Sequence, residues 1–380
     1  EFVIEEIIVT AQRFEESAGK VPIALNAFDE LGIEDRHIVG IDDLRMFVPN
    51  FNNTTTNTVG RTTSLRGIGS LGSTGAGEPG VSLHINEIPA AGGRLGALEL
   101  YDVERIEVLR GPQGTLYGRN ATGGVVNIIN RQPTFDGVSG YLDAEGGKHD
   151  LVRLRGALNI PLSDALAIRI AGLSHARDGY SKNLAARDMP EVPRDIDGRD
   201  LYGLRASVTW QLTDRTMATL RYERLDVDDD RTFIHNQICK TSITPAYACE
   251  PGEFGLEAKN PTQFFLQPSS ALSGLAPLGA RDAATGLTYV SVRPEITNPR
   301  HVHVDHEPTY EREEDAWQLD LRHAFDWGEF ALTGSYLQRH GGLTIANEPM
   351  VGPELAPTPQ VPDGMYPISA IPPGVDGLSG

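Results

Sequence analysis

Long runs of period-two alternation constrain this chain more than any other feature. Residues 152–160 put Val152, Leu154, Gly156, Leu158 and Ile160 on one face, and Arg153, Arg155, Ala157 and Asn159 on the other. Residues 202–212 set Tyr202, Leu204, Ala206, Val208, Trp210 and Leu212 against Gly203, Arg205, Ser207, Thr209 and Gln211. Residues 317–325 set Trp317, Leu319, Leu321 and Phe325 against Gln318, Asp320 and Arg322. Segments near 138–146, 165–176, 215–227 and 329–339 follow the same rule, giving about seven strands in all. Ten residues at about 3.3 Å each, tilted by about 40°, climb about 25 Å, which matches a membrane's apolar band. Strands of globular sheets are shorter, about five or six residues.

The connections alternate as well. Gaps 161–164, 213–215 and 326–329 are tight, whereas 177–199 and 228–314 are long. Short turns at one end and long loops at the other describe a transmembrane antiparallel β-barrel. Trp210, Phe325 and Trp327 gather near the tight turns, as in an interfacial girdle. A soluble β-sandwich also alternates, but strand length, loop parity and aromatic placement favour the barrel. Seven strands cannot close a bacterial barrel, which takes an even number. Further strands are therefore expected beyond the Pro/Gly-rich segment that ends at residue 380.

Composition narrows the function classes. A formal net charge of -19 argues against a nucleic-acid backbone as partner. No window of 18 apolar residues occurs, so no transmembrane helix is expected, and no basic-then-apolar leader opens the chain. Cys239 and Cys249 sit in a polar, Pro-containing stretch and are expected to form a disulfide, which suits an oxidising compartment.

Before Pro133 the texture differs. Ile41–Phe47 carries acids in its first turn and reads as a helix. Val81–Ile85 and Ile88 flank Asn86-Glu87 and read as a hairpin, and Val103–Leu109 reads as a strand. Glycines crowd LRGPQGTLYGRNATGGVVNII, residues 109–129. A Walker loop is absent. Gly67–Gly72 matches G-x-G-x-x-G, but Gly75, Gly77, Pro79 and Gly80 follow closely, so no helix is expected there. A nucleotide-dependent oxidoreductase, the remote alternative, rests on that string alone. The better reading of Gly111, Gly114, Gly118, Gly123 and Gly124, with Pro112 among them, is steric: without Cβ atoms the backbone turns sharply and approaches other surfaces closely.

Tyr101–Pro133 resembles the core of the plug domain of TonB-dependent outer-membrane receptors. SLRGIGS (64–70) and VSLHINEIP (81–89) resemble that plug too, in the expected order, and IEEIIVTAQR (4–13) resembles the TonB box. The resemblance implies a membrane all-β fold: a barrel, of 22 strands in transporters of this kind, with an N-terminal α+β plug in its lumen. It divides the chain into a box segment (1–13), a plug (14–133) and the N-terminal part of the barrel with long extracellular loops (134–380). It implies an active importer of a scarce ligand in the Gram-negative outer membrane, with a ferric siderophore favoured and an organic nutrient such as an aromatic compound or glycan as alternative. TonB, the ligand and outer-membrane lipid are the expected partners. Neither an enzymatic activity nor a cofactor is expected.

Ile7, Ile8, Val9, Thr10 and Ala11 are β-prone and suit strand addition to the edge of TonB's sheet. By resemblance Arg66 and Arg110, each before a glycine (Gly67, Gly111), face the barrel wall and pair with acids there. Ligand contacts are expected from the plug's outer loops, with Ile68, Ser70 and Arg94 as candidates. His84 stands where relatives more often carry an aromatic or apolar residue, and is a further candidate. HVHVDH (301–306) and the acids Asp226, Asp228, Asp229 and Asp230 could suggest metals, but read as solvated loop residues. No metal site is expected.

Overall fold

The structure, a computed structural model, describes residues 7–14, 16–56, 60–69, 79–90, 99–187, 190–231, 237–239, 257–259, 298, 300–302 and 307–344. They divide into two units. The first comprises Glu1–Ile234 and His306–Ala346, and the second His235–Asp305 and Asn347–Gly380.

The first unit opens with a plug. Its elements are β1 (Ile8–Val9), β2 (Glu16–Ser17), β3 (Leu25–Asp29), α1 (Glu30–Asp35), β4 (Phe51–Thr56), β5 (Gly60–Leu65), β6 (Ile68–Gly69), β7 (Val81–Ile85), β8 (Ile88–Pro89), β9 (Val103–Arg110), α2 (Gly114–Tyr117) and β10 (Gly124–Asn130). A 3-10 helix spans Ile41–Met46, where the sequence predicts an α-helix ending one residue later. The central sheet runs β3-β9-β10-β7-β8, with β10 antiparallel to β9 and parallel to β7.

All seven residues of β10 are buried, because both sheet faces are covered. Val126 and Ile128 join Ile106, Val108, Leu44 and Phe51 on one side. Val125 joins Leu109, Tyr117, Val9 and Ala11 on the other. The glycine-rich stretch behaves as its sterics predict at the β9–β10 junction. Gly124 has φ 152°, and a Cβ there would overlap the Leu109 carbonyl oxygen. A Cβ on Gly123 would lie 2.9 Å from the Ile68 carbonyl. Asn86 and Glu87 both have positive φ, as a tight hairpin turn between β7 and β8 requires.

The wall follows: β11 (Ser139–Gly147), β12 (Leu151–Ser163) and β13 (Leu166–Arg177). After a small pair, β14 (Ser181–Asn183) and β15 (Asp195–Ile196), come β16 (Arg199–Thr213) and β17 (Thr216–Asp229). In the second unit β18 (Gln237–Cys239) pairs with β19 (Glu257–Lys259), and β20 (His301–Val302) is a short strand. The wall resumes with β21 (Thr309–Phe325) and β22 (Gly328–Thr344). It is a 7-stranded antiparallel sheet in sequential order, β11-β12-β13-β16-β17-β21-β22, consistent with part of a barrel.

Alternation sorts its side chains. Leu154, Leu158, Ile170, Leu204, Leu220 and Leu319 are exposed, while Asn159, Arg169, Arg205, Ser207 and Arg221 are buried on the plug side. No described helix is long and apolar enough to cross a membrane.

Two aromatic rows bound the exposed apolar stripe. Trp210, Phe325, Trp327 and Phe330 lie by the tight turns. Tyr222, Trp317 and Tyr336 stand side by side in register at the other end. Trp317 and Phe325, eight residues apart on one strand, are about 20 Å apart along the membrane normal at ordinary rise and tilt. Strand β21 continues beyond Trp317 to Thr309, where the sequence predicts a strand over 317–325 only. Past the upper aromatic row the outward face carries Asp315, Glu313 and Glu311. It meets water there, so the apolar stripe stops while the hydrogen-bonded ladder goes on.

Candidate functional site

Two places in the first unit bring functional side chains together: the N-terminal segment docked on the plug, and the seam between plug and wall.

Residues 7–11 are stowed against the plug. β1 pairs with β2, and Val9, Thr10 and Ala11 are buried against Leu109, Tyr117 and Val125, while Ile8 stays exposed. The Thr10 amide donates to Glu107 Oε1 at 2.8 Å, and the Tyr117 hydroxyl donates to the Thr10 and Ala11 carbonyls. Glu107 is fully buried and takes an ion pair from Arg105 Nε at 2.8 Å. Burial pushes the Tyr117 phenol up, with the Glu107 carboxylate adding to it, so the ring keeps its proton. Arg13 closes the segment: it stacks on Tyr117, donates to the Leu116 carbonyl and pairs with Glu87 at 3.0 Å. A segment held this way must first leave Glu107 before its main chain can join another sheet.

The seam is built by residues 99–102, just before β9. The Asp102 carboxylate takes a two-pronged contact from Arg169 of β13, and the Asp102 amide donates to the Tyr141 hydroxyl of β11 at 3.1 Å. Tyr101 donates to Glu223 of β17 at 3.0 Å. Arg205 of β16 lies 4.4 Å over the Tyr101 ring and also binds Glu223. Gly203 makes room, since a Cβ there would sit 3.2 Å from the Tyr101 oxygen. Burial pushes the Tyr101 phenol up and the neighbouring Glu223 adds to the effect, so it donates throughout the physiological range. Glu99 takes Arg153 Nε at 3.1 Å and contacts His175. Burial raises its carboxyl, but the hydrogen bonds and charges of His175 and Arg153 outweigh that and hold it below the usual value.

Sequence reasoning placed Arg153, Arg155 and Arg205 on the polar face of their strands but found no partners for them. The signal was there in outline: arginines recurring at inward positions need carboxylates. Arg155 and Arg205 find theirs on neighbouring wall strands, in Asp143 and Glu223, whereas Glu99 for Arg153 depends on where the plug sits, as does Asp102 for Arg169.

The remaining candidates divide as follows. Arg66 is exposed, with φ 54°, and its guanidinium lies beside Gly111, so the two LRG motifs meet. Arg110 Nε is buried with no acceptor among the described residues. Gly118 caps α2 with φ 77°, Gly67 and Gly111 also have positive φ, and Gly114 and the exposed Pro112 meet no steric demand of this kind. Ile68 is exposed. Ser70, Arg94, Cys249 and His303 lie outside the described residues, so the Cys239–Cys249 pairing does too.

His84 requires correction as a ligand contact. It is fully buried inside the plug, between Ser82 Oγ at 2.9 Å and the Glu87 carbonyl at 3.1 Å, with Tyr117 edge-on. Burial holds its pKa below the ordinary value, so it is a neutral core histidine. Asp229 pairs with Arg231, and Asp230 accepts from the Gly198 amide. Among the described residues no cluster fit for a metal occurs.

The sequence profile of the TonB-dependent Receptor Plug Domain matches residues 17–125. The pesticin receptor of Yersinia pestis is 29% identical over 204 residues, 53% of this chain and 28% of that protein. A ferric enterobactin receptor of Pseudomonas aeruginosa is 36% identical over 124 residues, 30% of this chain and 16% of that protein. The vitamin B12 transporter of Vibrio vulnificus is 28% identical over 188 residues, 48% of this chain and 29% of that protein. The crystal structure of the ferric yersiniabactin uptake receptor from Yersinia pestis superposes with a TM-score of 0.62 at 20% identity, covering 86% of this chain and 42% of that one. The chain thus spans less than a third of the length of these three curated relatives and less than half of that structure.

Proposed function

We propose that this chain, which belongs to the TonB-dependent receptors of the outer membrane as their plug and part of their barrel, serves the import of a scarce extracellular solute into the periplasm. The family is one of non-enzymatic transporters, which sets aside the oxidoreductase reading of the Gly67 string. The observation that carries the proposal is the seam. A plug with its own two-faced core is held against membrane-length strands by the contacts of Asp102, Tyr101 and Glu99. Such a plug blocks the lumen until something moves it.

An outer membrane has no ATP and holds no sustained gradient, so the movement must be driven mechanically. The stowed segment Ile7–Ala11 supplies the handle. Ligand capture outside frees it from Glu107, TonB adds it to a sheet edge by main-chain hydrogen bonds, and pulling reshapes the plug. Arg66 and Arg110 act in the same frame as plug arginines facing wall acids. The solute is a ferric siderophore, in line with the pesticin and ferric enterobactin receptors among the relatives. The vitamin B12 transporter of similar identity keeps an organic nutrient as the second reading. Removing residues 4–13 is expected to abolish uptake and leave ligand binding intact, measured with labelled ligand on whole cells. Uptake that survives the deletion overturns the proposal. Growth on single siderophores under iron limitation identifies the solute, and growth unaffected by loss of the protein on all of them favours the organic nutrient.

A further inference from the structure

The turn of the β7–β8 hairpin meets the wall and the stowed segment through two adjacent residues. Asn86 is clamped. Its amide donates to the Ile128 carbonyl at 2.8 Å, its side-chain oxygen accepts the Asn130 amide at 2.8 Å, and Gln318 of β21 donates to its carbonyl at 3.3 Å. Glu87 comes next, and it holds Arg13. Arg13 Nη1 donates to the Glu87 carbonyl at 3.1 Å and to Glu87 Oε2 at 3.0 Å. The same carbonyl lies 3.1 Å from His84 Nδ1, and since a carbonyl only accepts, Nδ1 carries the proton. His84 is edge-on to the Tyr117 ring on which Arg13 stacks. His84 and Arg13 thus share one acceptor and one ring.

The two strands of the hairpin are held unequally. β7 pairs along its whole length with β10. β8 is the edge of the sheet, paired with β7 only at Ile88 and Pro89 and closed by the Ala90 amide on the Leu83 carbonyl at 2.8 Å. An edge with so few bonds opens at lower cost than the core. It also has room, because Ile88, Pro89 and Ala90 line a cavity of about 310 Å³ against β21 and β22. With Asn86 fixed, a shift of β8 turns about that residue, and Glu87 is the first to move.

We propose that Glu87 is the positioning residue that ties residues 7–13 to β8, so that displacing β8 from β7 releases Arg13 and with it the stowed segment. This rests on residues 7–11 being the handle, and it supplies the step that frees them. Glu107 is the seat of the Thr10 amide, but it lies on β9, which is paired on both sides, so it has no comparable freedom to move.

The test is electron paramagnetic resonance of the full receptor chain in detergent, without TonB or solute. A nitroxide is placed on Ile8→Cys or on Pro89→Cys, in a background with Cys239 and Cys249 changed to Ser. Both labelled positions are exposed. Arg13→Gln is expected to raise the mobile fraction at position 8 about tenfold, because it removes an ion pair and charge-assisted hydrogen bonds. Ala90→Pro removes the amide that closes β8, beyond Glu87, and is expected to raise the mobile fraction at position 8 about threefold while the melting temperature holds. Coupling is reciprocal, so Arg13→Gln is also expected to raise the mobile fraction at position 89 about threefold. The proposal is overturned if position 8 stays as immobile as in the parent in Arg13→Gln or in folded Ala90→Pro, or if position 89 does not respond to Arg13→Gln. Should Ala90→Pro fail to fold, the label at position 89 decides. Uptake enters none of these measurements, so import that survives removal of residues 4–13 refutes the handle and leaves the mobilities unchanged.

Discussion

The plug strand β10 and the wall strand β21 use the same apolar residue types under opposite rules. In β10 both faces are buried, so Val125 and Val126 serve two different cores and no polar stripe is tolerated. In β21 Leu319 and Trp317 point away from the protein, while Gln318 and Asp320 point toward the plug. The plug follows the logic of a water-soluble domain, with its apolar groups inside. The wall inverts it, because lipid is the solvent on one side and a polar lumen lies on the other. The seam is where a soluble-style surface meets an inverted one, and it is made of ions and hydrogen bonds.

The comparison can be broken most directly at single side chains. Ile106→Ala, which empties a fully buried plug position, is expected to cost about 2–5 kcal/mol in denaturant unfolding. Leu319→Ala on the wall should cost far less in lipid vesicles, whereas Leu319→Arg should cost about 2–4 kcal/mol. Equal losses for both alanines would show that Leu319 does not face lipid. Of comparable size, Asp102→Ala leaves Arg169 buried without its partner and is expected to cost about 3–5 kcal/mol, and adding Arg169→Met should recover most of it. A double mutant no better than the single would show that the pair does not hold the seam.

Smaller effects sharpen the picture of the stowed segment. Glu107→Ala removes the acceptor of the Thr10 amide, worth about 1–3 kcal/mol locally. A spin label at Ile8 should then become more mobile while the wall's β-sheet signal stays constant. Smallest is a pH effect. Burial lowers the His84 pKa, so below about 6.5 the unfolded chain binds a proton that the folded plug refuses. Plug stability should therefore fall as pH drops below that value, and His84→Asn should flatten the dependence. A flat profile in the parent protein would show that His84 is not held neutral.

Much of the architecture was legible because it repeats. The wall strands, the tight turns and the first aromatic row follow from period-two patterning. Hairpin 86–87 and the compact path at Gly124 follow from backbone sterics. What escaped was non-periodic. The upper part of β21 lost its apolar stripe on leaving the membrane, so nothing local distinguished it from a loop. His84 looked like a candidate contact because a lone polar residue in an apolar strand is ambiguous until its burial is known.

The sequence by itself determined which residues face lipid and which face the lumen, since a strand offers only two sides and the solvent on each selects the residue type. Only the tertiary structure decided which lumen arginine meets which plug carboxylate, and that residues 7–11 lie folded under Glu107. Those contacts join positions about a hundred residues apart or at unrelated registers. They depend on where one folded body rests on another, which no local pattern encodes.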